Sequence, residues 1–249
     1  ATKKALETIG GVSRFGKKGQ RVILKPNMSF ANPPERGSTT HPLVVTTVAQ
    51  ACLEAGAQQV VVFDHTLQRA ELCLERTGIR DACRQIKGVT VFAPQDKKFF
   101  REIKIPQGKV LERVEVFNEL LEDHVLINIP VAKSHSTTGV SLGMKGLMGL
   151  IWDRESFHSQ FNINQALGDL ATVIKPRLTI LDATRALATG GPGGPGEVKK
   201  TNLVIAGVDP VAVDSYGVTL VPWYGQNFKG RQVEHLGQVD THGLACAAR

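Results

Sequence analysis

Between Asn128 and Ile151 the chain reads NIPVAKSHSTTGVSLGMKGLMGLI, which sets Lys133, His135 and Lys145 in a segment rich in serine, threonine and glycine. A hydrophobic core has no use for that composition. Two ammonium groups and an imidazole suit an anion, imidazole is also a common metal ligand, and small residues let the backbone approach whatever is bound. Lys133, His135 and Lys145 are therefore candidate catalytic groups, with Asn128 as a ligand contact. The competing structural reading is a small-residue helix packed on a sheet with both lysines in solvent.

Lys25-Pro26-Asn27 ends another apolar run, RVILK, and leads into a polar loop through Ser38, Thr39, Thr40 and His41. Pro26 removes a backbone donor, so a side chain or a ligand must end the strand's pairing. Lys25 either meets a phosphate or carboxylate together with Asn27, or forms a buried ion pair with Asp64 at the end of QVVVFD. Asp182 closes the run LTILD and joins Asp64 as a candidate ligand contact. Asp209 precedes Pro210 and reads as a helix cap, whereas Asp214 falls one turn in, where an apolar residue is expected. A buried carboxylate needs partners, and the strand-end lysines and histidines are available. Asp214 is thus either a catalytic group or a structural hydrogen-bond acceptor. His135 and His158, with Asp182 and Asp214, could form a metal site or an acid–base set, although H-E-x-x-H spacing is absent.

The scaffold that positions these residues is an alternation of strands and helices. RVILK (21–25), an apolar helical pattern over 43–57 closed by Gly56, and QVVVFD (59–64) make a βαβ unit. Further buried strands are expected at VTVFA (89–93), HVLINIP (124–130), RLTILDA (177–183) and NLVIAGV (202–208), with a helix over 163–174 ended by Pro176. A Pro-Gln-Gly turn at 106–108 predicts an antiparallel hairpin within about 97–116, an insertion without flanking linkers. The pattern predicts one α/β domain over residues 1–249, a mainly parallel, helix-covered sheet with a small antiparallel hairpin. In such sheets ligands sit beyond the carboxyl ends of strands, which puts the pocket at the ends of RVILK, QVVVFD, HVLINIP and RLTILD, with Lys145 pointing into it. The loop GGPGGPG at 190–196 matches neither a P-loop nor a dinucleotide fingerprint, and is read as a lid over that pocket.

Composition narrows the classes. A hydrophobic fraction of 42% with 21% charged residues describes a soluble globular chain, and no apolar run is long enough for a membrane span. The net charge of +7 is spread over short pairs such as Lys97-Lys98, and 6% aromatics leave little for base stacking, so nucleic acid is not an expected partner. A small anionic ligand is. Cysteines at 52, 73, 83 and 246 have no C-x-x-C spacing, so the chain does not by itself encode a conventional cluster or zinc-ribbon motif. Cys73 and Cys83 could pair only if Gly78 breaks the helical segment between them.

Four motifs in this order, Lys25-Pro26-Asn27, Asn128 to His135, Met144 to Gly149 and Asp209 to Asp214, resemble the family of unknown function catalogued as number 362. The resemblance spans nearly the whole chain. It implies an association with iron–sulfur or redox chemistry, so an iron–sulfur cluster or a divalent metal enters as a cofactor and a ferredoxin-like protein as a redox partner. A scaffold for electron transfer, or a non-catalytic binding protein, is then the alternative to a redox-linked enzyme. The family's ferredoxin-type cysteine segment is missing here, so Cys73 would have to combine with other ligands, such as His135 and His158, or act across the interface of a homo-oligomer. Relatives that share R-F-x-K-K-G and the Cys73-to-Ile79 segment are often exported through a twin-arginine signal. That implies a periplasmic location, with the cytoplasm left open.

Overall fold

The computed structural model describes residues 1–228 and 232–238. Along the chain these form α1 (Thr2–Thr8), β1 (Arg21–Pro26), α2 (Pro42–Glu54), β2 (Gln59–Phe63), α3 (Ala70–Arg76), α4 (Ile79–Cys83), β3 (Val89–Phe92), β4 (Phe100–Lys104) and β5 (Arg113–Phe117). The second half supplies β6 (His124–Ile129), β7 (Val131–His135), β8 (Gly139–Ser141), α5 (Gly143–Gly146), α6 (Glu155–Ser159), α7 (Ile163–Val173), β9 (Leu178–Leu187), β10 (Val198–Gly207), α8 (Pro210–Gly217) and α9 (Glu234–Gln238).

The β-branched runs become strands buried on both faces, because successive side chains point to opposite sides of a pleated strand. In β1, Val22 and Leu24 enter one core with Val60 and Val62 of β2 and Val125 and Ile127 of β6. Ile23 between them enters the other, with Val61, Phe63 and Leu126. Residues of α2 and α4 fill the first core, while α7 and the hairpin fill the second. A third core lies where α5, α8 and α9 cover β7, β8 and β9. The sheet is mainly parallel, as expected: β3-β2-β1-β6-β9 run in that order with parallel pairing throughout.

The hairpin of β4 and β5 forms a separate two-stranded antiparallel sheet, also as expected. Gly78, at φ 69°, separates α3 from α4. That break lets both helices form, but Cys73 and Cys83 remain free thiols. Three details differ from the sequence reading. Pro130 interrupts what would be one long strand, so β6 and β7 follow one another along the same side of β9, and β7 turns back through β8. β9 continues to Leu187, which places Asp182 in mid-strand rather than at a strand end. β10 runs antiparallel to β9, with a shift in register between Lys200 and Leu203. Among the described residues, no helix is long and apolar enough to cross a membrane.

Candidate functional site

The ends of β1 and β2 meet in an ion pair. Lys25 Nζ lies 3.0 Å from Asp64 Oδ1, with both side chains buried. The other Asp64 oxygen accepts from Met28 N–H at 2.7 Å and from Ser29 Oγ at 3.1 Å, so the carboxylate also shapes the loop after Asn27. Burial lowers the Lys25 pKa and the Asp64 charge partly restores it. The pair is covered by Gly149, where a Cβ would lie 2.0 Å from Asp64 Oδ1 and 2.5 Å from Lys25 Nζ. The last glycine of M-K-G-L-M-G is thus required by close approach of the backbone.

The same motif is anchored from below by Asp214. Its two oxygens accept from Gly143 N–H and Met144 N–H, each at 2.8 Å, at the first turn of α5. The expected lysine and histidine partners of Asp214 are replaced by backbone amides, because α8 runs under α5 rather than beside the strand ends. Burial pushes its carboxyl up to about 7 against the pull of those two amides. Asn128 Nδ2 donates to Gly143 O at 2.9 Å and so serves the same short helix. Lys145, on α5, is buried as expected, and its Nζ has the Met148 thioether at 3.1 Å. Burial, with the Arg154 and Lys25 charges, lowers its pKa to about 7.

Lys133 sits behind the ion pair. Its Nζ donates to Ser38 O at 2.7 Å and Asn27 Oδ1 at 3.2 Å and lies 4.7 Å from the centre of the Phe30 ring. Burial holds it well below the ordinary lysine value. His135 Nδ1 accepts from Thr137 and Thr138 N–H, so the neutral ring carries its proton on Nε2. Burial lowers its pKa to about 3. The His158 ring stacks 6.0 Å from that of His135 and its Nδ1 bonds the Arg154 carbonyl, which leaves Nε2 as the acceptor.

The metal set His135, His158 and Cys73 does not assemble. Cys73 belongs to α3, where its Sγ approaches Gln68 O at 3.7 Å and burial pushes its thiol up to about 11. Among the described residues, no three His, Cys, Asp or Glu converge as metal ligands; Cys246 lies outside those residues. Asp182 is likewise occupied elsewhere, accepting from His41 N–H at 2.7 Å and Thr184 Oγ1 at 2.6 Å. The GGPGGPG loop is pinned, with Gly191 N–H donating to Ser134 Oγ at 3.0 Å and Gly193 O accepting from Asn32 Nδ2 at 2.8 Å. It packs on Phe30 as a buttress, in place of the expected lid.

Lys25, Asn27, Lys145, Arg154 and His158 line a small cavity of about 60 Å³, with Ser141 and Met148 among its other walls. Among the described residues, no acidic side chain lines it. A groove of about 630 Å³ beside Trp152, lined also by Lys97, Glu115, Asp153 and Glu155, shares Leu67, Arg154 and His158 with the cavity. A second groove, of about 580 Å³, lies apart at His41, Thr184 and Arg185. The sequence reading missed Arg154, whose guanidinium donates to Thr66 O at 2.9 Å and to His65 O. Its only signal was a charged residue soon after the glycine-rich motif.

Comparison with known proteins agrees with the fold. A thylakoid-associated protein of Synechocystis sp. is 29% identical over 216 residues, covering 84% of this chain, which spans 65% of that relative's length. The lactate racemase apoprotein from Thermoanaerobacterium thermosaccharolyticum superposes with a TM-score of 0.51 at 15% identity, over 83% of this chain and 51% of that one. That likeness is one of fold. The family model described as a domain of unknown function, DUF362, matches residues 22–219, most of the chain, and the chain belongs to that family.

Proposed function

We propose that this chain binds a small anionic molecule in the cavity between β1 and α5, and that Lys145 and His158 exchange protons with it. The observation that carries this reading is the charge balance: Lys25, Lys145, Arg154 and His158 line a cavity that no described acidic residue enters. Asp64 reaches Lys25, but nothing comparable reaches Lys145. Buried cations need anionic partners, and a carboxylate or phosphate entering past Arg154 would supply one. Lys133 and Asn27 then hold the wall, since Lys133 is committed to Ser38 O and Asn27 Oδ1.

Equilibrium titration with inorganic phosphate, sulfate and oxalate, beside magnesium and zinc chlorides, is the test. Anions are expected to bind and the cations to add nothing. Lys145→Met should weaken binding by about tenfold or more, the loss of one charge-assisted hydrogen bond of about 1.5 to 3 kcal/mol. Affinity should also fall as pH rises through about 7, where Lys145 loses its proton. A folded Lys145→Met protein that binds phosphate and oxalate like wild type sinks the assignment.

A further inference from the structure

Three lysines are buried around the cavity, and they differ in what holds their charge. Lys25 has the Asp64 carboxylate at 3.0 Å. Lys133 has Ser38 O, Asn27 Oδ1 and the face of Phe30. Lys145 has a thioether, which is a weak acceptor and gives an ammonium little. The groups that act on it are mostly cationic or neutral: Arg154 and Lys25 repel it, and Lys133, His135, His158 and His235 stand within electrostatic reach. An amine so placed exchanges between its charged and neutral forms near neutral pH, and the neutral form is a nucleophile toward carbonyl carbon.

The cavity also limits what can arrive. Its volume of about 60 Å³ has room for about four to six water-sized groups, the scale of the smallest 2-oxo acids. Such a molecule carries both parts the site addresses, a carboxylate for Arg154 and Lys25 and an electrophilic carbon for Lys145.

We propose that Lys145 condenses with the ketone of a small 2-oxo acid held in this cavity and forms an imine. This deepens the anion-binding reading and rests on it. The Nζ lone pair forms the C–N bond to the ketone carbon, the C–O bond breaks, and the oxygen leaves as water with the two protons of the amine. No oxidant or reductant is consumed. His158, in the cavity wall with Nε2 as its acceptor, is placed to carry a proton from nitrogen to the departing hydroxyl. The imine nitrogen then draws electrons from the adjacent carbon, the activation that a lysine nucleophile provides.

The native protein incubated with pyruvate and sodium cyanoborohydride tests this, because hydride addition converts an imine to a stable secondary amine that peptide mass mapping locates. The label should accumulate at Lys145 about tenfold or more above the exposed Lys3 and be suppressed by phosphate. Lys145→Arg should keep phosphate binding and lose the site-specific label. Phosphate binding with no enrichment at Lys145 overturns the imine and leaves the anion-binding reading in place. Absence of both overturns the two together, and enrichment at Lys25 or Lys133 instead assigns the nucleophile wrongly.

Discussion

Lys25 and Asp64 show how much a single buried charge depends on its partner. Desolvation alone lowers the Lys25 pKa, and the Asp64 oxygen at 3.0 Å opposes that, while its second oxygen holds Met28 N–H and Ser29 Oγ. Asp64→Asn should therefore destabilise the protein by about 3 to 5 kcal/mol, read as a drop in denaturant midpoint, since it strands an uncompensated ammonium. A loss under about 1 kcal/mol would mean that the pair contributes little. The pairing was legible in sequence because both residues end adjacent parallel strands. The place of Arg154 was not, since it depends on how the loop after Leu150 folds back onto His65 and Thr66. Nor was the choice of Asp214 for backbone amides over lysines, because periodicity shows that a carboxylate is buried and not what it faces.

At the scale of elements, the short helix α5 carries Lys145 and cannot hold itself in place. Its four residues depend on Asp214 at one end and on Asn128, which donates to Gly143 O. Gly143 is required too, since a Cβ there would lie 2.8 Å from Asp214 Oδ1. Asp209, by contrast, caps α8 through Val211 and Ala212 N–H at a partly buried site. Asp209→Ala should cost about 1 kcal/mol, as an ordinary lost cap, and leave phosphate binding intact. Asp214→Ala should cost about 2 kcal/mol or more, because it leaves two buried amides without an acceptor, and abolish phosphate binding as α5 loosens. Equal effects of the two substitutions on binding would remove Asp214 from the support of the site. The D-P-V-A-x-D motif thus contains two carboxylates of unlike importance, a difference that burial reveals and spacing does not.

For the molecule as a whole, the alternation of apolar strands and helices was enough to foresee a mainly parallel sheet, since only strands covered on both faces read as continuous hydrophobic runs. The antiparallel direction of β10 was hidden because its residues are only partly covered and carry no directional signal. The same dense covering makes stability depend on pH in a defined way. Burial lowers His135 and His235 to about 3, so between there and the usual 6.5 the unfolded chain binds protons that the folded one refuses, and stability rises with pH. Asp214, raised to about 7 from 3.8, acts oppositely over 3.8 to 7, because there the folded state holds the extra proton. His41, His65 and His158, also lowered by burial, act in the same direction as His135 and His235, so stability rises on balance from about pH 4 to 6.5. Lys145, lowered to about 7 from 10.5, adds a second rise above neutrality. His235 gives the sharpest check, since it is fully buried on α9 with no hydrogen-bond partner on either ring nitrogen among the described residues. His235→Leu should make the rise in melting temperature between about pH 4 and 6.5 shallower while the rise above pH 7 persists. A slope in the acid range identical to that of the unmodified chain would show that His235 is not the group whose protonation opens the fold.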